Sequence, residues 1–119
     1  EGQVMGGVAQ GIGNAFYEQL IFDDNGQLLT GTFMDYLLPT ALDVPPVISG
    51  HTVTPSPLNP LGVKGAGEAG AIPVGALFAQ AIEDALQVPG LELLEIPLSP
   101  SRLWTLVEAA HARAAGGDA

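Results

Sequence analysis

Gly62-Val63-Lys64-Gly65-Ala66-Gly67-Glu68-Ala69-Gly70 places one carboxylate in a loop of glycine and alanine with almost nothing else polar beside it. Glycine lets a backbone take up positive φ and lets another body come close to it. A lone Glu in such surroundings has few solvating neighbours, and desolvation strengthens a carboxylate as a base. Glu68 is therefore a candidate general base. Two other readings compete. Gly65, Gly67 and Gly70 satisfy the G-x-G-x-x-G dinucleotide fingerprint, which requires a buried strand immediately before it and an acid ending a second strand about twenty residues later. Here the preceding residues are Thr54-Pro55-Ser56-Pro57-Leu58-Asn59-Pro60-Leu61, whose prolines exclude a central strand, and the downstream acids Glu83 and Asp84 fall within a helical pattern. The remaining reading is a tight turn leading into a helix, with Glu68 near the positive end of its dipole.

The composition narrows the function classes. The 119 residues allow a single domain with a modest core. Charged residues make up 13% and apolar ones 47%, whereas a free-standing domain carries about a quarter charged residues. Such a surface expects to be covered. A net charge of −10 argues against nucleic acid and anionic membrane as partners. With no cysteine there is neither disulfide nor thiolate metal ligand, which suits the cytoplasm. His51 and His111 stand far apart without acidic clusters at ligand spacing, so no protein metal site is expected. No uninterrupted apolar run reaches membrane-spanning length, and no basic leader precedes one. The chain starts on Glu1 with a helical pattern already under way, as expected of a processed chain or a segment cut from a longer protein.

Val4, Val8, Ile12, Ala15, Phe16 and Leu20 recur at helical spacing and predict a first helix over about 4–20. Gly6, Gly7, Gly11 and Gly13 burden it by roughly 4 kcal/mol in lost propensity, at about 1 kcal/mol each. Close approach of a backbone or a ligand would account for that burden. Residues 19–23 and 27–33 predict strands joined around Asn25-Gly26, and 47–53 and 91–98 predict two more. Pro73 opens the clearest amphipathic helix, carrying Val74, Leu77, Phe78, Ala81, Ile82 and Ala85 on one face, with Pro89-Gly90 beyond it. Ser99-Pro100 starts a last helix, and 114–119 reads as a frayed tail behind a domain of residues 1–113. The expected fold class is α+β, with two to three helices packed on a small mixed sheet.

Three segments, in this order, resemble the C-terminal part of the molybdopterin-binding large subunit of the xanthine dehydrogenase and aldehyde oxidase family, in its carbon-monoxide-dehydrogenase-like branch. They are Glu1-Gly2-Gln3-Val4-Met5-Gly6-Gly7-Val8-Ala9-Gln10-Gly11-Ile12-Gly13, Tyr36-Leu37-Leu38-Pro39-Thr40-Ala41-Leu42-Asp43-Val44-Pro45, and Gly62 to Gly70. The resemblance implies that Glu68 takes a proton from a molybdenum-bound hydroxide that attacks an aldehyde, heterocycle or related carbon. It implies that Gln3 lies near the pterin and that Gly65, Ala66 and Gly67 line the cofactor pocket. It further implies a molybdenum–molybdopterin cofactor, in the cytosine dinucleotide form, held jointly with upstream segments through its own sulfurs. The implied partners are the rest of that subunit, iron–sulfur and FAD subunits, and a small-molecule substrate. The alternative is a non-catalytic relic that keeps the fold, inactive without the rest of the subunit.

Overall fold

The first apolar pattern closes into helix α1, Gly2–Phe16, in a computed structural model whose described residues run from 1 to 116. The Tyr17 and Glu18 N–H groups both donate to the Gly13 carbonyl, at 2.9 and 2.8 Å, and end it. Helix α2 spans Val74–Leu86, directly after Pro73. It stops ahead of Pro89-Gly90 because Gln87 turns left-handed, with φ 51°. Helix α3, Pro100–Gly116, starts where Ser99 Oγ accepts the Arg102 N–H at 3.4 Å. The expected tail is helical as far as Gly116, and residues 117–119 lie outside the described residues.

Gly7 and Gly11 of α1 have a steric reason. A Cβ on Gly7 would sit 2.8 Å from the Gly70 Cα, and one on Gly11 would sit 2.5 Å from the Val74 Cβ. Gly70 is buried in turn, against the Val4 carbonyl and the Gly7 Cα. Further along, the Phe16 and Phe78 rings meet edge to face with centroids 5.0 Å apart. The pairs 7–70, 11–74 and 16–78 advance together, so α1 and α2 run side by side in the same direction.

The core lies at the C-terminal end of this pair. Ala79, Leu91, Leu93, Leu98 and Ala110 are buried, with Phe16, Ile82, Leu103, Leu106 and Val107 packed around them. The Leu98 N–H donates to the Ala15 carbonyl at 2.7 Å and ties the segment before α3 onto α1.

The expected small mixed sheet does not form among the described residues, so the α+β expectation is corrected to three helices carrying long irregular segments. The Asn25-Gly26 turn is present, with Asp23 Oδ1 accepting the Asn25 and Gln27 N–H groups at 2.9 and 2.8 Å. Only a single antiparallel bridge, Phe22 with Leu28, grows from it. Residues 47–53 have no neighbouring strand, and 91–98 put alternate leucines into the core without pairing. Strand propensity describes a residue's fit to a pleated, half-buried surface, and without a second backbone about 4.8 Å away there is no strand to stabilise. The helices close their hydrogen bonds locally and need no such partner.

The shape follows from this. The Cα radius of gyration is 18.7 Å, and the extents are 65 × 40 × 29 Å; a compact chain of this length has a radius near 13.5 Å. The accessible surface is 8836 Å², roughly 2,800 Å² more than such a chain would expose. Leu42 (97%) and Ile48 (99%) stand almost fully exposed. A surface this apolar is one that other protein covers.

Candidate functional site

Because Gly70 lies against α1, the loop before it is carried to the α1 N-terminus. The Glu68 carbonyl accepts the Ala71 and Ile72 N–H groups at 2.9 and 3.1 Å, fixing the turn into α2. Upstream, Asn59 shapes the approach: its side chain donates to the Val63 carbonyl at 3.0 Å and accepts the Val63 N–H at 3.1 Å. Gly62, at φ 66°, supplies the left-handed step between them. Lys64 reaches back to Thr54 Oγ1 at 3.0 Å.

A groove of about 1040 Å³ runs between α1 and α2, with residues 93–96 along its far wall. Gln3, Gly67 and Glu68 line it together, although sixty-odd positions separate the first from the others. Gly65 and Ala66 are exposed and lie outside the lining. Glu68 is itself exposed, so the water-poor surroundings expected of it are not provided by this chain alone.

Three carboxylates reach the groove, and two are committed. Glu83, half-buried on α2, accepts the Leu93 N–H and so clips the far wall to the helix. Glu95 is paired with Arg102. Among the described residues, Glu68 remains the carboxylate of the groove with neither ion pair nor side-chain hydrogen bond. The lining also holds neutral amides that the sequence reading passed over: Gln10, Asn14 and Gln80. The available signal was spacing, since 3, 10 and 14 share one helical face. No Lys or Arg lines the groove.

The Tyr36–Pro45 segment is clasped to the end of α1. Tyr36 donates its hydroxyl to Glu18, and Tyr17 donates to Asp43 Oδ1 at 3.1 Å. Both phenols are pushed above their ordinary value by the carboxylates they donate to. Asp43 is held below its ordinary value chiefly by the Thr40 hydroxyl, then by the Thr40 N–H, each 2.7 Å away, and by Tyr17.

Among the described residues, no three His, Cys, Asp or Glu side chains gather as a metal site. His51 is exposed on an unpaired segment, and His111 lies 3.8 Å from Glu108 on exposed α3. No described helix is long and apolar enough to cross a membrane. A bare metal ion therefore does not fit this groove. A planar polar group does fit: neutral amides offer donors and acceptors at its edge, and at Gly6 an added Cβ would meet nothing within 4 Å.

Such a wall, helical, glycine-stepped and without a metal-ligand cluster among the described residues, leaves backbone and neutral amides open to a large organic group. Residues 1–45 match the family model of a molybdopterin cofactor-binding domain. The nicotine 6-hydroxylase large subunit of Paenarthrobacter nicotinovorans is 45% identical over 103 residues, covering 87% of this chain and 13% of that one. The carbon monoxide dehydrogenase large chain of Hydrogenophaga pseudoflava is 43% identical over 107 residues, with the same coverage of 87% and 13%. The crystal structure of quinoline 2-oxidoreductase from Pseudomonas putida 86 superposes with a TM-score of 0.83 at 45% identity, over 90% of this chain and 14% of that one. The chain belongs to the xanthine dehydrogenase and aldehyde oxidase family, in its carbon-monoxide-dehydrogenase-like branch. It spans about one-eighth of the length of the relatives it matches.

Proposed function

We propose that this chain is the part of a molybdenum hydroxylase large subunit that supplies Glu68 as general base for attack on an aldehyde, heterocycle or related carbon. The observation that carries this reading is the meeting of Gln3, Gly67 and Glu68 in one groove, with Glu68 its uncommitted carboxylate. When bound, the molybdenum cofactor supplies oxygen transfer and takes up two electrons. Glu68 accepts the proton of the attacking oxygen. Gln3 would hold the pterin edge, while Gly67, which lines the groove as Gly65 and Ala66 do not, would let the cofactor approach the backbone. Covering the groove removes water from around Glu68 and strengthens it as a base.

The covering body is the remainder of the large subunit, and the excess surface supports that assignment. The cytosine dinucleotide form of the cofactor, iron–sulfur and FAD subunits as electron partners, and a cytoplasmic location belong to the same proposal. Glu68→Gln in the assembled enzyme should lower turnover by about a hundredfold or more, the low end for loss of a general base, with molybdenum content unchanged. Turnover within tenfold of the parent sinks the base assignment. The exposure of Glu68 in this chain favours a second reading, a non-catalytic relic of the fold. An assembly that carries no molybdenum would select it.

A further inference from the structure

Glu83 makes a contact that α2 itself does not need. A Glu on an amphipathic helix ordinarily faces water, because removing a carboxylate from solvent is costly unless hydrogen bonds replace it. Glu83 is half-buried and accepts the Leu93 N–H, a backbone donor ten residues further on. A charged acceptor makes such a bond about twice as strong as a neutral one. Residues 91–98 pair with no strand, so this side chain replaces for Leu93 the partner a sheet would have supplied.

The bond places more than one residue. Gly75, Ala76, Ala79, Gln80 and Glu83 recur at helical spacing and lay one face of α2 along the groove, with residues 93–96 beside it. Leu93 is tied at Glu83, and Ile96 stands over Gly75, where an added Cβ would lie 3.3 Å from the Ile96 Cδ1. Eight residues of helix rise about 12 Å, and three steps of extended chain cover about 10 Å. The segment therefore runs antiparallel to α2, from the level of Glu83 back to the first turn. Gly75 is the second residue of α2, and the turn just before it is pinned by the Ala71 and Ile72 N–H groups on the Glu68 carbonyl. The other anchors of the segment lead elsewhere. Glu95 pairs with Arg102 of α3, and the Leu98 N–H bonds to Ala15 of α1.

We propose that Glu83 is a positioning residue for the reaction at Glu68. Its carboxylate holds residues 93–96 against α2, and Ile96, seated on Gly75, steadies the start of that helix and the turn that carries Glu68. This rests on the reading of Glu68 as the base. Glu83→Ala removes the acceptor, whereas Glu83→Gln keeps an acceptor oxygen of the same reach and drops only the charge. Ile96→Ala removes the contact on Gly75 and leaves the clip in place. Val107→Ala, beside the core on α3 and outside the groove lining, is the control for destabilisation alone. All are made in the assembled molybdenum enzyme alongside Glu68→Gln. Amide exchange over residues 69–76 and 93–96 is followed by mass spectrometry, with molybdenum content and with kcat and KM for quinoline as a heterocyclic substrate.

In Glu83→Ala, exchange at 69–76 should quicken about fivefold or more, the size of one lost hydrogen bond. Its kcat should fall about tenfold through misplacement of the base, with KM and molybdenum content within twofold of the parent. Glu83→Gln should restore both readouts, and Ile96→Ala should reproduce the loss. Should Glu83→Ala fail to assemble, Ile96→Ala carries the same test. Quickened exchange confined to 93–96, an unchanged kcat, or an equal loss in Val107→Ala overturns the proposal, and loss of turnover in Glu68→Gln would then leave the base assignment standing. Turnover kept within tenfold in Glu68→Gln overturns both.

Discussion

Adjacent glycines of α1 should respond oppositely to the same methyl group. Either Gly→Ala change gains about 1 kcal/mol of helix propensity. At Gly6 nothing lies within 4 Å of the new Cβ, so that gain is kept. At Gly7 the Cβ falls 2.8 Å from the Gly70 Cα and 3.0 Å from the Ala71 N, where ordinary contact begins at 3.4 Å. The obstructing atoms are backbone and cannot rotate away, so α1 and the 70–72 turn must separate by about 0.6 Å. Overpacking of this kind costs about 1–3 kcal/mol. Gly7→Ala is thus destabilising by up to about 2 kcal/mol net, and the two variants differ by the overpacking cost, about 1–3 kcal/mol. At roughly 4 °C per kcal/mol, thermal unfolding followed by helical circular dichroism should separate them by about 4–12 °C, with Gly6→Ala the higher. Equal midpoints, or a higher one for Gly7→Ala, would refute the close approach of α1 to Gly70. The pair also has a functional reading. Gly6 lines the groove, so Gly6→Ala should stabilise the chain yet reduce retained cofactor in the assembled enzyme.

Leu98, 1% exposed, is the largest fully buried side chain; Leu98→Ala should cost about 3 kcal/mol of unfolding free energy. Ile48→Ser, at a site 99% exposed, should leave the melting of the isolated chain unchanged; a large loss there would show an unrecognised contact. Asp43 is depressed from its ordinary value of 3.8, so its contribution is complete above that value and is lost as pH falls through its lower folded value. The Thr40 amide resonance should accordingly titrate with a midpoint below 3.8, and a midpoint above it would contradict the hydrogen-bonded clasp. Gln87→Gly should stabilise α2 by about 0.5–1 kcal/mol in urea unfolding, by relieving a left-handed position at the helix end.

The regularities of the chain that close within a few residues were legible beforehand. The three helices follow from apolar spacing together with Pro73 and Ser99-Pro100, and the Asn25-Gly26 turn from its own chemistry. The glycine burden of α1 announced a close neighbour without naming it. The strands were misread because 47–53 and 91–98 have strand-like residues but no pairing backbone within this chain. Gln10, Asn14 and Gln80 were overlooked because an amide on a helix looks the same in sequence whether it faces water or a groove.

By itself the sequence determined that three helices form and in which stretches, though not their ends, that Glu68 stands in a glycine loop, and which family the three motifs resemble. An i→i−4 hydrogen bond and a glycine's freedom are local properties, written wherever the residues stand. Only the tertiary structure decided that Gly7 meets Gly70, that Gln3 and Glu68 share a groove, and that Glu83 and Glu95 are spent on its walls while Glu68 is not. Those facts depend on contacts between positions far apart in the chain. Residue identity supplies the groups, and packing alone determines which of them remain free to bind.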